Sequence, residues 1–139
     1  MIRGIQHCAL VVSDLERSRA FYGEALGLTE IPRPASFAFA GAWFQAGADE
    51  VHLIVEGDTT MRAGVHDHGA GLAVGLVTHL ALEVDDLEGA MARVRESGAR
   101  VLTDFVERPD MRCFNFLDTE GNRVELMEYK EGTDAAEPA

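Results

Sequence analysis

The chain is an internal duplication, and this feature restricts its fold more than any other. When the sequence is shifted by 72 positions against itself, residues 5–24 align with residues 77–96. Nine of the twenty aligned pairs are identical, where chance would give about one or two. Two copies are too few for a solenoid, so we expect two equivalent units that pack on each other.

Each copy begins with a strand followed by a helix. Residues 5–12 and 77–84 are apolar and rich in β-branched side chains, which favours strands. A polar residue with an acidic residue three positions later then has the spacing of a capping box, which predicts a helix start. The two predicted caps are Ser13 with Glu16 and Asp85 with Glu88.

Three strand-like segments follow each predicted helix. Gly27 and Gly98 stand where the helices should end, because glycine readily adopts the positive φ of a helix C-terminus. The segments are 29–31, 35–45 and 50–56 in the first copy, and 100–106, 112–118 and 123–129 in the second. The order is strand, helix and three strands, twice, which predicts an α+β fold.

The chain length fits a single domain of about 130 residues. We expect a first module over residues 1–56, a glycine-containing connector over 57–75 and a second module over 76–130. The last segment, 131–139, is acidic and contains proline, and we expect a flexible tail there.

The net charge of −12 argues against nucleic acid as a partner, because phosphate contacts require a basic surface. No segment approaches the roughly 18 apolar residues of a membrane helix. The first residues lead directly into a predicted strand, so we expect no cleavable signal and a soluble, cytoplasmic protein. Cys8 and Cys113 are too few for a disulfide framework, and we expect two small buried side chains.

Four metal-ligating residue types fall at equivalent places in the two copies. His7 and His79 are each the third residue of a first strand, and an offset of 73 pairs His52 with Glu125 in the last strands. Three imidazoles and a carboxylate in apolar strands would be unfavourable to bury without partners. We therefore predict that the folded copies bring all four to one divalent cation: Zn²⁺, Ni²⁺, Co²⁺, Mn²⁺ or Fe²⁺.

The two other histidines, His66 and His68, have no counterpart in the second copy. They lie in the glycine-rich connector, where we expect exposed loop residues.

With these features the chain resembles the vicinal oxygen chelate superfamily, which includes glyoxalase I, extradiol dioxygenases and bleomycin-resistance proteins. The resemblance covers about residues 3–130. It rests on the two first strands, on Phe-Tyr-Gly-Glu-Ala-Leu-Gly-Leu at 21–28 and on Asp-Thr-Glu-Gly-Asn-Arg-Val-Glu-Leu at 118–126. It implies two βαβββ modules that form a half-open eight-stranded barrel, often within a homodimer.

The resemblance also implies roles for the four residues. His7, His79 and Glu125 match metal-ligand positions of the superfamily. His52 matches the remaining position, which is Glu in glyoxalase I, so only one of the two carboxylates that bracket the glyoxalase substrate is retained. Glu125 is the residue expected to move a proton between neighbouring carbon atoms.

The function implied is a lyase or isomerase of the lactoylglutathione-lyase type, acting on a small substrate that chelates the metal through two adjacent oxygens. An alternative is a ring-cleaving Fe²⁺ dioxygenase, since His7, His79 and Glu125 form a two-histidine, one-carboxylate set. Another is a non-enzymatic drug-sequestering protein, which the intact ligand set disfavours.

Residues near the last strands are candidates for substrate contacts. Arg108 and Arg112 could bind a substrate carboxylate, and Phe114 could line the pocket. Among the other aromatic residues, Phe37, Phe39 and Trp43 could also line it, although we expect most aromatic residues to pack in the core.

Overall fold

The computed structural model describes residues 1–64 and 78–132, and these residues form two sheets and two α-helices. The helix of the first half continues as a π-helical turn, Phe21–Ala25. A 3-10 turn, Glu56–Asp58, follows the last strand of the first half. The elements in chain order are β1 (His7–Val12), α1 (Leu15–Ala20), β2 (Thr29–Ile31), β3 (Gly41–Ala46), β4 (Asp49–Val55), β5 (Leu80–Glu83), α2 (Leu87–Glu96), β6 (Arg100–Val101), β7 (Val106–Glu107), β8 (Met111–Leu117) and β9 (Arg123–Tyr129).

The two sheets repeat one topology, which confirms the predicted α+β fold. The first has the order β1-β4-β3-β2, and the second has the order β5-β9-β8-β6 with β7 also paired to β8. In each sheet the first strand lies parallel to the last, and the other pairs are antiparallel. Among the described residues the strands form two separate sheets and not a closed barrel. The predicted strand 100–106 is divided into β6 and β7.

The helices begin one residue later than the capping-box spacing predicted. The caps are Asp14 and Asp86, whose carboxylates accept the backbone N–H three residues further along. The predicted caps Ser13 and Asp85 were therefore wrong. Ser13 instead donates its hydroxyl to Glu120 in the other half of the chain.

The helix ends agree with the prediction. Gly27 has φ 73° and Gly98 has φ 78°, the left-handed conformation that glycine adopts without a steric penalty.

One hydrophobic core lies between the helices and the sheets. In β1, Leu10 and Val12 are buried in it, whereas His7 and Ala9 on the other face are exposed. We call this second face of each sheet, which the helices do not cover, the open face. Both halves contribute to the core, which includes Phe21, Tyr22, Phe44, Leu53, Leu87, Met91, Val94, Phe114, Phe116 and Leu126.

The turn between β8 and β9 binds the two halves together. Asp118 accepts a hydrogen bond from the Tyr22 hydroxyl at 2.7 Å and two further bonds from Asn122, through its backbone and its side chain. Burial and the Asp118 carboxylate raise the pKa of Tyr22 well above its ordinary value. Glu120 accepts the Ser13 hydroxyl at 2.6 Å, so the turn of the second half also contacts the helix start of the first.

Some of the predictions concern residues outside the described part of the chain. They concern most of the connector, at 65–75, with His66 and His68, and the tail at 133–139. Within residues 1–64 and 78–132, no helix is long and apolar enough to cross a membrane.

Candidate metal centre

His7 and His52 form one cluster on the open face of the first sheet. Their strands, β1 and β4, are parallel neighbours, with Ala9 opposite His52 and His7 opposite Glu50. The two imidazole rings are stacked, with their centroids 4.1 Å apart and their planes within 9°. Side-chain alternation along these strands therefore brings the two predicted ligands of the first half together.

An aromatic group extends this cluster. Trp43 of β3 lies opposite His52 and stacks on it at 3.9 Å, so that His52 is between two rings and only 6% exposed. Phe37 lies 4.9 Å from the Trp43 ring and 5.6 Å from Phe39. These three aromatic residues lie outside the core where most were expected. They form an apolar wall beside His52.

Two polar residues that were not among the predicted site residues contact the histidines. Oε2 of Glu50 lies 2.6 Å from Nε2 of His52, and the Gln6 side-chain oxygen binds Nδ1 of His7. The hydrogen bond from His52, followed by a smaller one from Gln6, lowers the pKa of Glu50. Glu50 lies two residues before His52, so strand alternation alone could have identified it.

His79 and Glu125 form the equivalent cluster in the second half. His79 directly precedes β5, and Glu125 lies in β9 opposite Ala81. Nε2 of His79 is 3.0 Å from Oε2 of Glu125, and their side chains are 25% and 16% exposed. Both can therefore be reached from the open face of the second sheet.

Cys113 of β8 lies beside this second cluster. Burial, followed by the hydrogen bond that the thiol donates to Glu125, raises the pKa of Cys113 to about 11. The positive charge of Arg108 acts on the same thiol in the opposite direction. Arg108 is exposed, its backbone N–H donates to the Met111 carbonyl, and its substrate-binding role stays a prediction.

Arg112 and Phe114 do not share that position. In the β8–β9 register Glu125 lies opposite Asn115, so the even-numbered residues of β8 point to the helix side. Phe114 is fully buried in the core, and Arg112 bridges Glu88 of α2 and Glu128 of β9. The structure therefore places Arg112 and Phe114 away from Glu125, and the substrate contacts of both residues stay predictions.

The four predicted ligands form two pairs within one chain. Among the residues that the structure describes, no group of three or more His, Cys, Asp or Glu side chains is placed to hold a metal ion. The meeting of all four residues at one cation therefore stays a prediction, and within the described part of one chain they lie in two pairs. We call the pair His7 and His52 the first half-site, and the pair His79 and Glu125 the second half-site.

The residues present fit a divalent transition metal in their chemistry. Three imidazoles and one carboxylate are suitable ligands for such ions, and each half-site supplies two of the four. His7 is exposed on the first open face, and the side chains of His79 and Glu125 are partly exposed on the second, so a further group can reach a member of each pair.

Comparisons with known proteins agree with this description. The family model of the Glyoxalase/Bleomycin resistance protein/Dioxygenase superfamily matches residues 4–126. The lactoylglutathione lyase of Salmonella typhimurium is 30% identical, over 90% of this chain and 92% of the relative. The crystal structure of a glyoxalase family protein from Bacillus anthracis is 32% identical, with a TM-score of 0.73 over 94% of this chain and 98% of that one. A fosfomycin resistance protein from Listeria monocytogenes, 18% identical over 94% of this chain and 97% of that one, shares the fold with a TM-score of 0.68.

Proposed function

This chain belongs to the Glyoxalase/Bleomycin resistance protein/Dioxygenase superfamily, and on that premise we propose that it is a metal-dependent lyase or isomerase of the glyoxalase type. The observation that carries the proposal is the pairing of ligand-type residues at equivalent places on two open faces. Its substrate would be the small adduct of an α-oxoaldehyde and a thiol, as the name of the Salmonella relative suggests. The cytoplasmic location stays a prediction.

The complete site would form in a homodimer. Each half-site alone offers only two ligands, whereas catalytic metal sites use about three or more from the protein. A twofold axis would let the first half-site of one protomer meet the second half-site of its partner, twice per dimer. His7, His52, His79 and Glu125 would then hold one Zn²⁺, Ni²⁺, Co²⁺, Mn²⁺ or Fe²⁺ at each of the two sites.

The chain's own residues supply proton transfer and substrate binding. When bound, the metal polarises two adjacent substrate oxygens and stabilises the charge that develops on them. Glu125 would take the proton from the hemithioacetal carbon, which bears the sulfur and a hydroxyl group, and return it to the adjacent carbonyl carbon. The hemithioacetal would thereby become a 2-hydroxy thioester. Arg108 would bind a substrate carboxylate, and the wall of Phe37 and Trp43 would exclude water.

One departure from glyoxalase I bears on this chemistry. Its second bracketing carboxylate is replaced by His52, so Glu125 would have to perform both halves of the proton transfer. The substrate carbon would then be approached by a carboxylate from one side only.

We expect the metal-loaded protein to convert the methylglyoxal–glutathione adduct to its thioester, because the site would combine a Lewis acid with a carboxylate base. The ultraviolet absorbance of the thioester measures turnover. Removal of the metal with EDTA should abolish activity, and one equivalent of Ni²⁺ or Zn²⁺ per chain should restore it. Absence of turnover with every one of the five metals would contradict the proposal.

We expect two inactive variants to restore each other's activity if the sites are shared. His7→Ala and His79→Ala each remove one ligand from both sites of a homodimer. When equal amounts are refolded together, half of the dimers are mixed and each mixed dimer has one intact site, so about a quarter of wild-type activity should return. No recovery, with mixed dimers confirmed by native mass spectrometry, would place the complete site within one chain.

A further inference from the structure

Glu50 lies at the centre of a hydrogen-bonded chain that joins the two histidines of the first half-site. The backbone N–H of Glu50 donates to the Gln6 carbonyl at 3.1 Å, which holds the two residues side by side at the start of the strand pair. The Glu50 carboxylate then contacts the Gln6 side chain and Nε2 of His52. The Gln6 side-chain oxygen binds Nδ1 of His7. The hydrogen-bonded network therefore runs from His7 through Gln6 and Glu50 to His52.

The chemistry of these groups determines where the protons are. An ionised carboxylate only accepts hydrogen bonds, so both Gln6 and His52 must donate to Glu50. The Gln6 amide therefore points its nitrogen to Glu50 and its oxygen to His7, which must donate from Nδ1. In the neutral rings, His7 keeps its lone pair on Nε2 and His52 keeps its lone pair on Nδ1.

From this network we propose that Gln6 and Glu50 are positioning residues that fix the tautomers of His7 and His52 and so select the nitrogen that each offers to a metal. The inference rests on the proposed metal centre. A histidine ligand commonly donates its other ring N–H to a carboxylate or a carbonyl, and that bond holds the ring in place. Stacking between the Trp43 and His7 rings fixes the plane of the His52 ring. The contact with Glu50 fixes the rotation of the ring within that plane, with Nε2 directed to the carboxylate.

In the last strand of the second half, a different type of residue occupies the position equivalent to Glu50. At the offset of 73 that pairs His52 with Glu125, the counterpart of Glu50 is Arg123. Arg123 is buried and donates Nε–H to Asn115. The positioning carboxylate therefore occurs in the half whose last-strand ligand is an imidazole. There a tautomer has to be chosen, whereas a carboxylate ligand such as Glu125 has none.

The tautomers can be read directly from long-range ¹H–¹⁵N correlation spectra of the metal-free protein, at a pH where both rings are neutral. In the wild type we expect His7 to carry its proton on Nδ1, which is the minor form of free histidine, and His52 on Nε2. In Glu50→Ala, the amide of Gln6 loses its acceptor, so His7 should return to the mixture typical of free histidine. Wild-type-like tautomers of His7 and His52 in Glu50→Ala would overturn the proposal.

Metal affinity provides the second measurement, by calorimetric titration with Ni²⁺. We expect the affinity of Glu50→Ala for Ni²⁺ to be lower than that of the wild type by about 10–100-fold. Glu50→Gln should recover part of the loss, because its amide oxygen can still accept from His52. Asp104→Ala removes a carboxylate that is 98% exposed and lies near Arg95 of α2, and it should bind like the wild type. Equal affinities for Glu50→Ala and Asp104→Ala would refute the positioning role.

These two measurements separate this inference from the proposed function. The tautomers are measured without metal, and the affinities without substrate. In one outcome, the wild-type protein fails to convert the methylglyoxal adduct while Glu50→Ala still changes the histidine tautomers and weakens Ni²⁺ binding. That result would contradict the proposed reaction and support the positioning role of Gln6 and Glu50.

Discussion

Glu125→Gln should reduce the turnover of the methylglyoxal adduct by about 10²–10⁴-fold, the usual contribution of a general base. The amide has the size of the carboxylate and can still accept the hydrogen bond from Cys113, but it cannot take a proton from carbon. The fold should therefore be retained while the chemistry is lost. Turnover is measured together with bound metal per chain, so that a loss of metal is distinguished from a loss of the base.

The matched control is Glu128→Gln on the same strand. Glu128 binds Arg112 on the helix side of the sheet, away from Glu125. This variant should keep its activity, although the ion pair with Arg112 is lost. If metal-loaded Glu125→Gln retained activity within tenfold of the wild type, another residue would have to move the proton.

Asp118→Ala should lower the free energy of unfolding by about 3–5 kcal/mol, the range found when one partner of a buried charged network is removed. Asp118 is 5% exposed and accepts four hydrogen bonds, from the Tyr22 hydroxyl, the Glu120 backbone and both donors of Asn122. Without the carboxylate these donors lose their acceptor inside the protein. Urea denaturation followed by circular dichroism measures the change.

Two further variants show how the effect is distributed. Tyr22→Phe removes one of the four donors and should lower the unfolding free energy by about 1.5–3 kcal/mol. Asp104→Ala removes a carboxylate whose side chain is 98% exposed, and a change within about 0.5 kcal/mol is expected. A loss below about 1 kcal/mol for Asp118→Ala would mean that the turn does not join the halves energetically.

Much of the fold could be predicted from the duplication, because a repeat requires two equivalent units. The first and last strands of each half and the helix ends at Gly27 and Gly98 follow from local patterns. The helix starts did not, since Ser13 looks like a cap but donates its hydroxyl to Glu120, far away in the sequence. Asp14 and Asp86 are an identical pair in the repeat, which was a stronger signal than the capping-box spacing.

The site was predictable as two pairs but not as an assembly. Alternation along β1 and β4 places His7 and His52 on one face, and the repeat extends this to His79 and Glu125. The relative orientation of the two sheets depends on packing between elements that are distant in the sequence. Local sequence patterns do not predict such packing. The position of Arg112 needed the β8–β9 register, which the turn at Asp118 sets.

The stack of Trp43 on His52 has a practical consequence. Trp43 is the only tryptophan in the sequence, and its indole lies 3.9 Å from the imidazole with the two planes within 4°. Indole emission depends on the charge and polarity of the group it touches. The protein therefore carries an intrinsic fluorophore directly on one of the proposed ligands, and binding of a cation to that imidazole would be followed in solution without a label.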